Sequence, residues 1–321
     1  MDYLTEPVFV EPQLATLADG MPDGEQWVFE NKFDGYRMLA LIGDDVHLVT
    51  RNNVDWTRKF SGIRDSLKRL TCKSAVLDGE VVSMTAAGVS NFEKLHDNIT
   101  ADRQEALTYC IFDILMLDGS DLRALPLLDR KEKLERLLKG RPTNLVYSEH
   151  FPAAAVDLKA ICARGLEGVM AKVATAPYAE GRTKDWLKVK CHKRQELVIG
   201  GFTEPTHANR GIGAILLGYF EGDVFRYAGK VGTGFDHDSA NELRRRLEPL
   251  RVKQPAFDEV PKPIARIGVF TEPKLVCEIE FTEWTADGRL RHPSFQGIRE
   301  DKPARDVHRD VELHVRAVEK P

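Results

Sequence analysis

Hydrophobic positions recur with two different periods along this chain. Residues 26–32, 36–42 and 46–51 are apolar or β-branched runs, broken by Asp34-Gly35 and by Gly43-Asp44-Asp45. Turn residues between β-rich runs predict a meander of antiparallel strands. Ala75–Val82 and Leu107–Leu115 predict two buried strands. A helical period follows, with Leu134, Leu137 and Leu138 at i, i+3 and i+4. That helix is predicted to start at a capping Asp129 and to end at Lys139, before Gly140. Residues 153–164 predict a second helix, closed by Gly165. Beyond residue 193 the pattern changes to glycine-dense short strands: VIGGFTE, GAILLGYFEG, VFRYAGKVG and LVCEIEFTEWT. One helix over Asp238–Leu250 interrupts them, and the prolines of Gln254–Pro263 predict a loop. The expected organisation is an α+β domain over residues 1–193, then an all-β barrel of the OB type over residues 194–321.

Composition narrows the class. A chain of 321 residues with 30% charged and 42% apolar residues has an ordinary globular balance, which excludes a disordered, collagenous or coiled-coil whole. The formal net charge of −4 argues against attachment to nucleic acid by bulk positive charge and leaves local patches open. Five cysteines, widely spread and without a CxxC pair, suit a reducing cytosol and give no metal-knuckle spacing. The N-terminal MDYLTEPVFVEPQLA carries acids where a signal peptide has basic residues. No apolar run approaches the roughly 18 residues a bilayer span needs. A cytoplasmic, monomeric protein with no membrane partner is expected.

Several segments carry candidate chemistry. In Glu30-Asn-Lys32-Phe-Asp34-Gly35-Tyr-Arg37, period two puts Glu30 and Lys32 on one face, and Arg37 opens the return strand into the same space. Desolvation among Val28, Phe29 and Phe33, together with nearby cations, would lower the Lys32 pKa and make it a nucleophile near neutral pH. Spacing alone favours a structural Lys–Glu or Lys–Asp pair at a strand end. Leu77-Asp78-Gly79-Glu80 brings carboxylates into an apolar strand, to pair with a cation or to hold a metal or a sugar hydroxyl. Gly165-Leu-Glu167-Gly168-Val-Met170-Ala-Lys172 sets an acid between glycines, where a ligand can approach the backbone. Between Arg182 and Arg194 stand six Lys/Arg against one acid. As a strand, Trp186, Lys188 and Lys190 share one face, with ammoniums about 7 Å apart, a spacing that suits a phosphate. A further basic cluster, Leu290-Arg-His-Pro-Ser-Phe-Gln-Gly-Ile-Arg299-Glu-Asp301-Lys302, lies near the C-terminus.

Taken together the segments resemble one family. KFDGYR has the K-x-D-G-x-R form of the lysine that is nucleotidylated in the covalent nucleotidyltransferases: ATP-dependent DNA ligases, RNA ligases and capping enzymes. Thr50-Arg51, DGE at 78–80, Phe112-Asp113, EGVMAK at 167–172, WLKVK at 186–190 and the motif at 289–302 follow in the family's order, over about residues 8–302. RHPSFQGIREDK resembles the last motif of DNA ligases, and VIGGFTEP…GAILLGYF…YAGKVGTGF is similar to the ligase domain of bacterial end-joining ligases. Asn31 departs from the usual form, which has a hydrophobic residue before the lysine. The resemblance implies an ATP-grasp-like adenylation domain and an OB domain, sealing nicks through a lysyl-AMP on Lys32. It implies nucleotide contacts from Glu30, Arg37, Arg51, Glu80, Phe112, Met170, Arg182, Lys188 and Lys190. Arg37 and Arg51 would reach the sugar or the 5′-phosphate of a nick, and Phe112 and Met170 would sandwich adenine. Glu80 and Glu167 would hold Mg²⁺ or Mn²⁺, while Arg299, Asp301 and Lys302 would orient pyrophosphate on closure. Implied partners are ATP, nicked or broken duplex DNA met through patches such as 182–194 and Arg244–Arg246, and a Ku-type end-binding protein in repair by end joining. An RNA ligase, a capping-type guanylyltransferase and a nucleic-acid-binding protein with an inactive transferase domain are the alternatives.

Overall fold

The computed structural model describes residues 7–191, 193–205, 211–311, 313 and 315. The chain divides into two units, the first formed by residues up to Cys191 with a C-terminal stretch from Val311, the second by residues 192–310. The expected border at 193/194 lies two residues from this division, which also returns the stretch from Val311 to the first unit.

The first unit contains β1 (Gln13–Leu17), β2 (Trp27–Asn31), β3 (Tyr36–Ile42), β4 (Val46–Thr50), α1 (Ser61–Leu67) and β5 (Ala75–Val82). There follow α2 (Phe92–Thr100), β6 (Thr108–Leu117), β7 (Ser120–Asp121), α3 (Leu127–Leu138), β8 (Leu145–Tyr147), β9 (His150–Pro152), α4 (Leu158–Ala163), β10 (Gly168–Val173) and β11 (Gly181–Lys190). One sheet runs β1-β11-β10-β2-β9; the other runs β4-β3-β5-β6-β7, with β8 beside β6. In the second sheet Met38, Ala40, Leu48, Leu77, Tyr109 and Ile111 bury one face with Phe60, Ile63 and Leu134 of the helical layer. Leu39, Val49, Val76 and Leu115 bury the other face with Tyr178 and Trp186. Strands covered on both faces read as continuous apolar runs, which is why β3, β5 and β6 stand out in the sequence. In the first sheet alternation is kept. Phe29, Val169, Ala171, Leu187 and Val189 fill a core on one face, so Glu30, Met170, Lys172, Trp186, Lys188 and Lys190 must point the other way.

The predicted three-strand meander does not form. Residues β3 and β4 make a hairpin, but β2 pairs with β10 and β9 in the other sheet. The Asp34-Gly35 turn is therefore a crossing between sheets, because the partners of β2 lie far along the chain where no local signal reaches. A Cβ at Gly35 would collide with the Val81 carbonyl, so only glycine fits that crossing. Helix α3 begins two residues before Asp129, after Pro126, and Asp129 lies in its first turn rather than at the cap. Residues 153–164 split into a 3₁₀ turn, Ala153–Ala155, and the short α4 capped by Asp157. Cys162 and Cys191 form a disulfide, against the expectation of unpaired thiols; the hairpin β10–β11 brings the two together with Cα atoms 5.2 Å apart across a separation of 29 residues.

The second unit contains β12 (Lys193–Thr203), β13 (Ala214–Glu221), β14 (Val224–Val231), α5 (His237–Leu247), α6 (Lys262–Ile267), β15 (Gly268–Phe281), β16 (Glu283–Trp284), β17 (Leu290–Arg291) and β18 (Ser294–Arg299). Its main sheet runs β14-β13-β12-β15-β18. The expected barrel is thus an open strand path, since no ladder joins β14 to β18 among the described residues. Leu197, Ile199, Ile215, Leu217, Cys277 and Ile279 pack with Leu243 and Leu247 of α5 on one face. No helix among the described residues is long and apolar enough to cross a membrane.

Candidate active site

Lys32 follows β2 directly, and its backbone N–H donates to Gly168 O at 3.0 Å, which ties it to the start of β10. Its Nζ lies 2.5 Å from Glu167 Oε1, the residue that leads into β10. Burial alone would lower the ammonium pKa, but the carboxylates of Glu167, Asp34 and Glu80 outweigh it and hold Lys32 above the ordinary lysine value. The expectation of a depressed pKa is therefore corrected. In the free chain the charges around Nζ are anions, so Lys32 stands as an ammonium.

Strand register brings the other candidates around it. Met170 sits opposite Lys188 on one side and opposite Glu30 on the other, and Gly168 sits opposite Lys190. From the second sheet, Arg37 is opposite Glu80 and Leu39 opposite Asp78. The Arg37 guanidinium is held bidentately by Asp78 (Nε–Oδ1 2.9 Å, Nη2–Oδ2 2.6 Å), and its Nη1 donates to Gln13 O at 2.8 Å. Its Cζ lies 5.1 Å from the Phe112 ring centre and 5.6 Å from that of Trp186. Phe112, half-buried, meets Trp186 edge-on at 5.9 Å. Phe112 thus meets Arg37, Lys172 and Trp186, while the carboxylates of Glu167, Asp34 and Glu80 act on Lys32. Arg51 lies just past the end of β4, half-buried. Arg182 is exposed at the start of β11 and donates to Ala15 O; no contact between it and Lys32 is described.

Glu30, expected near adenine or ribose, is held by protein cations on the same face. It is 2% exposed, with Lys131 Nζ at 2.9 Å and Lys172 Nζ at 3.0 Å from Oε1, and it accepts the Ser148 hydroxyl at 2.8 Å. Burial opposes its charge, but the two lysines prevail and lower its pKa. Lys172 in turn lies 4.5 Å from the Phe112 ring centre and 4.2 Å from that of Trp186, and burial pushes its pKa down to about 8. Next to this group, Arg130 and Asp113 form a fully buried bidentate pair at 2.8 Å. Lys131, Arg130 and Tyr178 carry no signal in motif spacing. One was available for the helix: Lys131 precedes Leu134 and Leu138 by three and seven positions, so a charge occupies the apolar stripe.

In the second unit, Arg299 is bonded to Asp301 (Nη2–Oδ2 2.9 Å) and to Glu278 (3.3 Å), and Lys302 pairs with Glu196. Burial disfavours the Arg299 charge, yet Asp301, Glu196 and Glu278 raise its pKa well above the ordinary value. Arg244, Arg245 and Arg246 are paired with Glu204, Glu242 and Glu300, so this run is a neutralised face rather than a bare basic patch. Arg194, at the end of the other patch, pairs with Glu280, and His192 within it lies outside the described residues.

Comparison with known proteins shows the family. Residues 12–190 match the family described as "ATP dependent DNA ligase domain", and residues 208–302 match the one described as "ATP dependent DNA ligase C terminal region". The chain is 40% identical over 309 residues to the multifunctional non-homologous end joining protein LigD of Pseudomonas aeruginosa, covering 94% of this chain and 36% of that protein. It is 35% identical over 305 residues to the protein of the same name in Mycolicibacterium smegmatis, covering 92% and 39%. The chain therefore spans less than two fifths of the length of either relative. A solved structure titled "mycobacterial DNA ligase D complexed with ATP and MES" is 32% identical, with a TM-score of 0.68, covering 93% of this chain and 97% of that one.

Proposed function

We propose, since this chain belongs to the ATP-dependent DNA ligase family, that Lys32 is its adenylylated nucleophile and that the first unit is the adenylation domain. The second unit is assigned as the OB domain, beginning at residue 192. The observation that carries the reading is the pairing of Lys32 with Glu167, at the start of the hairpin on which Met170, Lys188 and Lys190 share a face.

The chemistry runs in three steps. The Lys32 amine, once it has lost its proton, attacks the α-phosphorus of ATP; an N–P bond forms and pyrophosphate leaves. The 5′-phosphate of a nick then attacks that phosphorus, and the adenylate moves from lysine to DNA. Finally the 3′-hydroxyl attacks the 5′-phosphorus, closing the backbone and releasing AMP. Lys188 and Lys190 stabilise charge that develops on the transferring phosphate, the main contribution a protein makes to phosphoryl transfer. Arg37 offers its guanidinium edge to the sugar or the 5′-phosphate, with Arg51 as a second cation. Phe112 and Met170 supply apolar surface for the base. Arg299 and Lys302 meet pyrophosphate by exchanging carboxylate partners for phosphate oxygens.

Glu80 and Glu167 fit a hard divalent cation, Mg²⁺ or Mn²⁺, by their oxygen donors. Such a cation keeps waters and substrate phosphates among its ligands. When bound it supplies positive charge to the triphosphate. The substrate is proposed to be nicked or broken duplex DNA, and the setting repair by end joining beside a Ku-type end-binder, on the likeness to relatives named for that process.

Intact mass after incubation with magnesium and either ATP or GTP tests the reading. An AMP-sized increase with ATP alone, reversed by pyrophosphate and absent in Lys32→Ala, is expected. A Lys32→Ala chain that still carries the adduct would overturn the assignment.

A further inference from the structure

Tyr178 stands in the segment between β10 and β11, outside every motif of the adenylylation reading. Its hydroxyl donates to Asp78 Oδ2 at 2.7 Å and accepts the backbone N–H of Gln13 at 2.9 Å and Arg37 Nη2 at 3.5 Å. One donor and two acceptors satisfy a phenol completely. Asp78 has no exposed surface, and its other bonds are the fork to Arg37. Burial pushes the Tyr178 pKa well above its ordinary value, so the hydroxyl stays a donor at any assay pH. The ring is fixed edge-on against Trp186 at 5.8 Å. Gln13, Arg37, Asp78 and Tyr178 come from four separate segments, and their bonds converge on one guanidinium. Nothing in this set is a surface ion pair: only Arg37 reaches the site face, with 16% of its side chain exposed.

We propose that Tyr178 is a positioning residue for Arg37, acting through Asp78, and that its hydroxyl sets the angle at which the guanidinium meets a phosphate or sugar oxygen. The inference rests on the ligase reading above. A carboxylate held only by arginine can rotate with it, whereas a third bond from Tyr178 fixes the plane of the fork. Misplacing a bidentate group by a fraction of an ångström lowers rates without changing which groups are present.

The test is a double-mutant cycle of Tyr178→Phe with Arg37→Lys, read at two steps: lysyl-AMP formation as a function of ATP, and sealing of a pre-adenylylated nick. Tyr178→Phe removes one oxygen and keeps the ring. It is expected to lose roughly tenfold in kcat at the step that Arg37→Lys impairs, to keep the other step within about twofold, and to add no loss in the Arg37→Lys background. Losses that multiply in the double variant overturn the inference. So does a Tyr178→Phe chain with full rates at both steps, whatever its melting temperature, and so does one that does not fold, since the hydroxyl would then be structural. A wild-type chain that forms no adduct overturns the ligase reading itself, and this inference with it.

Discussion

Lys172 is 1% exposed and faces two aromatic rings, with Glu30 as its anionic neighbour. Burial lowers its pKa from 10.5 to about 8, although Glu30 pulls the other way. Between those two values the unfolded chain keeps the proton and the folded one sheds it. Stability therefore rises with pH from about 8 toward 10.5, by on the order of 3 kcal/mol in total, and that increment is lost again as pH falls to 8. Urea midpoints of wild type and Lys172→Met, compared from pH 7 to pH 10, should shift in favour of wild type as pH passes 8. A pH-independent difference would show that the ammonium is not desolvated. The same residues show what sequence spacing conveys. The K-x-D-G-x-R motif singles out Lys32 as the candidate, because the motif is local. Its electrostatics are not local: Asp34 is close in sequence, but Glu80 and Glu167 arrive from β5 and from the segment before β10, and they reverse the sign of the expected pKa shift. Lys131 was legible only in part: its place in the apolar stripe marks it as buried, but its partner, Glu30 on β2, comes from a distant segment.

Among the elements, those buried on both faces were legible and those with distant partners were not. The sequence of β5, AVLDGEVV, is apolar apart from its DGE: β5 is a central strand, with Leu77 packed in one core and Val76 in the other. Strand β2 looked like the first arm of a hairpin, and no local feature indicates that β10 is its neighbour. The disulfide belongs to this second kind. Cys162 at the end of α4 and Cys191 just past β11 enclose the hairpin that bears Glu167, Met170, Lys188 and Lys190. Beside the bridge, Cys191 N–H donates to Glu167 O at 2.9 Å, so the same clasp touches the residue that pairs with Lys32. Closing a loop of 29 residues removes about 3–4 kcal/mol of unfolded-state entropy on the chain-entropy account. Dithiothreitol should lower the melting temperature of the wild type and leave the Cys162→Ser/Cys191→Ser variant unmoved, with a joined 162–191 peptide seen only without reductant. Equal melting with and without reductant would mean the bridge does not hold the hairpin. In a reducing compartment the hairpin would depend on its non-covalent contacts alone.

For the whole molecule, the shift in composition near residue 193 marks the end of the first run of chain, but composition does not show that the chain comes back. Val311, Leu313 and Val315 alternate as a strand would, in a tail whose length suggests only an end. In the structure Leu313 N–H donates to Leu17 O at 2.8 Å, Asp19 N–H to Leu313 O at 3.1 Å, and Val315 N–H to Asp19 Oδ1 at 2.8 Å. Leu313 and Val315 also pack on the core formed by Phe29, Ala171, Leu187 and Val189. That core is the reverse face of the strands that present Met170, Lys188 and Lys190, so the tail braces the proposed site from behind. Deleting residues 311–321 should therefore weaken the first unit by about 2–3 kcal/mol, the scale of two partly buried aliphatic side chains. Amide exchange at Asp19, whose acceptor is lost, should quicken strongly, while amides of β13 and β14 keep their protection. Adduct formation by the truncated chain should match the full chain at low temperature and fail at a lower temperature on warming. Unchanged exchange at Asp19 would remove the tail from the first unit. Loss of protection confined to β13 and β14 would assign the tail's stabilising contacts to the second unit instead.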